Sequence, residues 1–212
     1  MSSTTQDVES SISVADRDKC SANTNTRFTY DQGPRIISPT DGKFVDLLSV
    51  GVRYIANSHD TAGLFSVVEH PIPPKTLVAP LHKHTFEDEY SFVISGRMGA
   101  MLGDDVVYAN AGDFVFKPRD QWHTFWNDGT EMCHVLEIIA PGGFEQYFDE
   151  LCTLQTAANS SLNVDEIMAP GMPGAELAAK YGLAFQPESI EKICEEHDLV
   201  YPGNKMFGER KK

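Results

Sequence analysis

Between Phe44 and about Pro141 the chain consists of short runs of β-branched and aromatic residues, cut at near-regular intervals by Gly, Pro and Asp. This punctuation constrains the fold most, because runs of roughly four to eight residues suit strands and are too short for most helices. Strands are expected at Phe44–Leu48, Val52–Asn57, Leu64–Glu69, Leu77–His84 and Glu89–Ile94, then at Arg97–Leu102, Val106–Tyr108, Asp113–Lys117, His123–Asn127 and His134–Ile139. The turns between them read as Thr40-Asp41-Gly42, Ser95-Gly96, Gly103-Asp104-Asp105, Ala111-Gly112 and Asn127-Asp128-Gly129. Many short strands at such spacing predict an all-β sandwich or barrel.

The flanks differ. The first thirty residues hold six Ser and five Thr with few large apolar side chains, too little apolar surface to offset the entropy of ordering, so residues 1–30 are expected to be a disordered tail. After Pro141-Gly142-Gly143, the residues Phe144, Tyr147, Phe148, Leu151 and Leu154 recur at helical spacing. Further helices are expected at about 173–181 and 187–196, the latter opening on Pro187 and Glu188. The domain reading is therefore a barrel over 31–143 and a helical extension over 144–212, packed on its outside.

Charge excludes some partners. With 31 acidic against 17 basic residues the formal net charge is -14, which repels phosphate backbones and anionic lipid surfaces. No run approaches the length of a membrane span, and the N-terminus lacks a secretory pattern, so a cytoplasmic protein is expected. The four cysteines show no CxxC spacing, which argues against a zinc knuckle or a dense disulfide framework.

Chemistry gathers inside the strand region. His82 and His84 are two apart, so on a strand both imidazoles point to one face. Beyond a bend at Thr85-Phe86-Glu87-Asp88 comes Glu89, at the start of the next strand; in this register Glu87 or Asp88 are alternatives for the same place. His123 opens a later strand. Three imidazoles and a carboxylate make a nitrogen and oxygen site suited to one divalent first-row metal, whether iron, manganese, nickel, cobalt, copper or zinc. Each element alone is weak: a lone HxH in a β protein is more often incidental than a ligand pair. Together and in this order they are far more specific.

Strand phase also outlines a pocket. Val78 and Pro80 share the phase of His82 and His84, Ser91 and Val93 that of Glu89, and Phe125 that of His123, which gives a mostly apolar lining suited to a hydrophobic or aromatic small molecule. Phe92, Trp122 and Trp126 fall in the opposite phase and are expected between sheets or at an interface. Tyr147 and Phe148 are candidates to cap the barrel mouth, with helix packing the expected role. His134 and Glu137, three apart on one strand, cannot both face inward, and either is a candidate to support a ligand.

The segment from His82 to Gly96 reads HxHxxxxExxxxxxG, and that from Gly112 to Asn127 reads GxxxxxPxxxxHxxxN, with fifteen residues between them. These resemble the two motifs of the cupin superfamily, and more narrowly the single-domain, quercetin-dioxygenase-like members. The resemblance covers about residues 77–140. It implies a jelly-roll β-barrel of two antiparallel sheets, with His82, His84, Glu89 and His123 as metal ligands and Gly96, Gly112 and Pro118 as turn formers. The sequence departs from the pattern at Asp120 and at Thr76 or Leu77, where the family usually has glycine. The resemblance further implies a metal-dependent dioxygenase of secondary metabolism acting on an enolisable aromatic, polyketide- or flavonoid-like molecule with dioxygen, Glu89 serving as both ligand and base. The competing readings are a non-oxidative isomerase, cyclase, decarboxylase or lyase on the same site, and a metal-containing binding protein without turnover. A homodimer is expected on the same analogy.

Overall fold

A computed structural model describes residues 33–157 and 171–202. Two antiparallel sheets face each other. The first runs β1 (Phe44–Asp46), β2 (Gly51–Ala56), β3 (Ser66–Ile72), β10 (Cys133–Ala140), β5 (Asp88–Ser95), β8 (Phe114–Lys117); the second runs β11 (Leu183–Gln186), β4 (Leu81–His84), β9 (His123–Asn127), β6 (Arg97–Leu102), β7 (Asp105–Asn110). This is the expected two-sheet jelly-roll arrangement. The expected tail over residues 1–30 lies outside the described residues.

In the first sheet β3 and β10 alternate strictly between buried and half-buried residues. On β3 the buried residues are Ser66, Val68, His70 and Ile72, and on β10 they are Cys133, Val135, Glu137 and Ile139. Hydrophobic burial of Val52, Val68, Val93 and Val135 from the first sheet against Met98, Ala100 and Phe125 from the second joins the two into one core. The β5–β6 hairpin turns at Gly96, whose φ is +83° and where a side chain would meet Cys133 Cα at 2.9 Å. Only glycine fits there. Asp120 sits at φ +61°, so it takes the left-handed conformation at the place where the resemblance implied a glycine.

Among the described residues three helices follow the barrel: α1 (Glu145–Ala157), α2 (Pro173–Lys180) and α3 (Ser189–His197). Trp126, on the outward phase of β9, is fully buried beneath α3 among Leu77, Ile190, Ile193 and Leu199, and it stacks on His197. Trp122 lies instead beside Lys83, and Phe92 packs on Phe114 on the outer face of the first sheet.

Two expectations are corrected. The strand expected over Leu77–His84 is cut to Leu81–His84, with Leu77 left in an isolated bridge to Trp126, because Pro80 has no N–H to give to a ladder. The segment after residue 143 is also not purely helical. Its strand β11 pairs along β4, placing Phe185 opposite His82 and Leu183 opposite His84.

Candidate metal centre

The jelly roll brings β4, β9 and β5 around one point. His82 faces His123 across the β4–β9 pair, and β5 reaches the same point from the opposite sheet. His82, His84, Glu89 and His123 each offer one ligand atom, and these atoms lie within 4.8 Å of one another. All four residues are buried. Of the acidic run at 87–89, only Glu89 joins them: Asp88 pairs outward with Arg119, and Glu87 Oε2 lies 3.5 Å from His84 Nδ1, on the ring edge away from the cluster.

Backbone carbonyls set the tautomers. His82 Nδ1 donates to Pro80 O at 2.8 Å and His123 Nδ1 to Gln121 O at 3.0 Å, which leaves each Nε2 to the cluster. Burial pushes the pKa of His82 well down, aided by the neighbouring His123 and His84, and burial likewise lowers that of His123 despite Glu89 beside it. Neutral rings bonded in this way present lone pairs at Nε2. Yet His123 Nε2 lies 3.2 Å from Glu89 Oε2, and this ring nitrogen is buried with no donor facing it. Two acceptors facing each other require a cation or a proton between them, and a nitrogen and oxygen donor set of this kind fits a divalent metal.

Lys117 is the neighbour that the sequence did not mark. It is fully buried directly opposite Glu89 in the β5–β8 register, with Nζ 2.9 Å from Glu89 Oε2 and 2.9 Å from Glu137 Oε1. Its ammonium also lies 4.4 Å from the centre of the Phe125 ring. Ser91 Oγ donates to Glu137 at 3.0 Å. Burial works to raise the pKa of Glu89, but His84, Lys117 and His123 outweigh it and hold the group well below the usual carboxylate range. Glu137 goes the other way, raised to about 7 by burial, which exceeds the stabilising pull of Lys117. Its strand neighbour His134 points outward and bonds Glu69 at 2.7 Å, which settles which of the pair faces in.

Beside the cluster lies a cavity of about 110 Å³, well beyond the roughly 10–15 Å³ that holds one water. Val78, Pro80 and Phe125 line it, as strand phase predicts, together with Glu137 and His70. Much of the remaining wall comes from beyond the barrel: Phe144, Tyr147, Phe148 and Leu151 on or next to α1, Leu183 and Phe185 on β11, and Tyr201. Phe144 meets His84 edge-on at 4.5 Å between ring centres, and Phe185 lies 5.5 Å from His82. Tyr147 and Phe148 thus both pack in the core and face the cavity. His70 had no sequence signal, because the strand expected over Leu64–Glu69 stops one residue short of it and β3 runs on to Ile72.

A family model for the cupin domain matches residues 68–139. Residues 68–139 form a cupin domain. Quercetin 2,3-dioxygenase from Bacillus subtilis is 26% identical over 99 residues, 47% of this chain and 29% of that protein, so the chain matches less than a third of its relative's length. Among solved structures, KdgF from Halomonas sp. is similar at 13% identity and a TM-score of 0.47, over 53% of this chain and 98% of that one. A predicted oxalate decarboxylase from Thermotoga maritima is similar at 18% identity and a TM-score of 0.47, over 50% and 99% of the two chains. Among the described residues no helix is long and apolar enough to cross a membrane.

Proposed function

We propose that His82, His84, Glu89 and His123 hold one divalent metal ion, and that the cupin domain works in the cytoplasm as a dioxygenase on a small, enolisable aromatic molecule. The observation that carries this reading is the pair of facing acceptors, His123 Nε2 and Glu89 Oε2, 3.2 Å apart in a buried site. A bound ion would supply Lewis acidity, lowering the pKa of an enol or hydroxyl placed against it. The chain's own groups supply the rest. The carbonyls of Pro80 and Gln121 fix the ring orientations of His82 and His123. Phe125, Phe144 and Phe148 exclude water. Glu89 is assigned as both ligand and proton acceptor: Lys117 holds it ionised, so it takes a proton only from a strongly activated acid. The similarity to a quercetin 2,3-dioxygenase supports the substrate class.

The test uses protein loaded with iron, manganese or nickel and given quercetin or a simpler aromatic enol, beside the His84→Ala variant. The expected result is dioxygen consumption by the wild type, with metal and turnover lost in a variant that stays folded by circular dichroism. Undiminished conversion without dioxygen would replace the dioxygenase by a non-oxidative isomerase, decarboxylase or lyase, and full metal occupancy in His84→Ala would overturn the ligand set.

A further inference from the structure

The cavity has a second polar feature apart from the four clustered residues, built on His70. This residue is 3% exposed, on the inward phase of β3, and it lines the cavity. Its Nδ1 lies 3.0 Å from Gly51 O. A carbonyl only accepts, so Nδ1 carries the hydrogen, and in the neutral ring Nε2 is a bare acceptor. Burial draws the ring's pKa down to about 4, against the pull of the Gly51 bond, so the neutral form prevails at physiological pH. The ring sits against Phe125 and Phe148, with centroids 6.3 Å and 5.5 Å away, and neither offers a hydrogen.

Two other polar groups on the cavity wall, which also carries Tyr147 and Tyr201, are committed within the protein. Ser49 Oγ donates to Val78 O at 2.7 Å, and Glu137 is held by Ser91 and Lys117. Gln155 lies half-buried toward the end of α1. The bond of His70 to the protein is made through Nδ1, and because the ring lines the cavity its Nε2 acceptor is open to a donor on a ligand.

We propose that His70 is a specificity-determining residue, whose Nε2 accepts a hydrogen bond from an O–H or N–H on the ligand. The ligand class is thereby narrowed to hydroxylated or amino-substituted aromatics, which present one oxygen to the histidine and carboxylate cluster and a separate donor to His70. The proposal rests on the reading that the cavity takes a small aromatic molecule.

The probes are para-hydroxyacetophenone and para-methoxyacetophenone, which differ in a single donor, measured by calorimetry with the full-length protein. The phenol is expected to bind the wild type about tenfold more tightly than the ether. His70→Asn keeps a donor for Gly51 O but loses the ε-position acceptor, and its preference is expected to fall to about twofold or less; His70→Gln, with an amide oxygen near that position, is expected to regain part of it. In wild-type protein the ¹⁵N resonance of His70 Nε2 is expected in the unprotonated range, moving on addition of the phenol and not of the ether. Equal binding of the two probes, no binding of the phenol, a preference undiminished in His70→Asn, or a protonated Nε2 would each overturn the proposal. Metal content is read separately: wild type that takes up no metal defeats the ligand set, while the phenol preference stands or falls independently.

Discussion

Glu69 and Glu137 lie on adjacent strands of one sheet, Glu69 opposite Leu136 and Glu137 opposite Val68, yet on opposite faces. Each carboxylate has cationic or hydrogen-bonding company. Glu69, on the outer face, is paired with Arg53 and His134, and these partners, His134 foremost, bring its pKa down to about 2 against a smaller effect of burial. Glu137, on the inner face, meets Lys117 and Ser91, yet burial lifts its pKa to about 7. The difference is solvent. Nearer water, a carboxylate keeps part of its hydration and its partners outweigh what it loses; in the interior the lost hydration outweighs a well-placed ammonium. The inner network is therefore costly to hold, and it stands against the candidate ligand Glu89.

The largest test of this contrast removes the shared cation. Lys117→Met leaves Glu89 and Glu137 buried without their shared ammonium, and metal-free protein is expected to lose about 3–5 kcal/mol in urea unfolding. A loss under about 1 kcal/mol would mean that the inner network is no more demanding than a surface pair. A smaller effect is expected from pH. The native pKa of Glu137 lies above its ordinary value of 4.5, so folding binds a proton between 4.5 and about 7. Its contribution is complete below 4.5 and is lost as pH rises through 7, on the order of 1–3 kcal/mol. Glu137→Gln should flatten that slope in metal-free protein, and an unchanged slope would assign it to another group. The smallest effect belongs to Glu69, whose native pKa lies below the same ordinary value. Its contribution is present above 4.5 and lost as pH falls toward 2, about 1 kcal/mol after solvent screening. Glu69→Gln should remove this acid-side loss while leaving the neutral-side slope intact; coupled changes in both would join the two faces into one network.

The sequence made these two networks unequally legible. His82 and His84 were readable because a strand repeats every two residues, and the phase of Val78, Pro80 and Phe125 carried over directly to the cavity wall. Glu89 needed the family spacing to distinguish it from Glu87 and Asp88. Lys117 was illegible for a definite reason. Along β8, Val115 and Lys117 are buried while Phe114 and Phe116 are exposed, so the large aromatics lie outside and the lysine inside. Hydrophobic patterning reads that strand backwards, and only its register against Glu89 corrects it. The strand β11 was missed because four residues, Leu-Ala-Phe-Gln, between two helices carry too short a pattern to register.

That missed strand bears on the order in which the molecule can be completed. Phe185 pairs with His82, on a strand about a hundred positions earlier in the chain. Until the last part of the described chain arrives, β4 is an open edge with unpaired amides and carbonyls, and the rings of His82 and His84 lack their cover of Phe185 and Leu183. The sheet that carries His82 and His84 thus has its edge closed by a segment about a hundred positions away, so a chain cut before β11 would hold the same histidines under an open mouth.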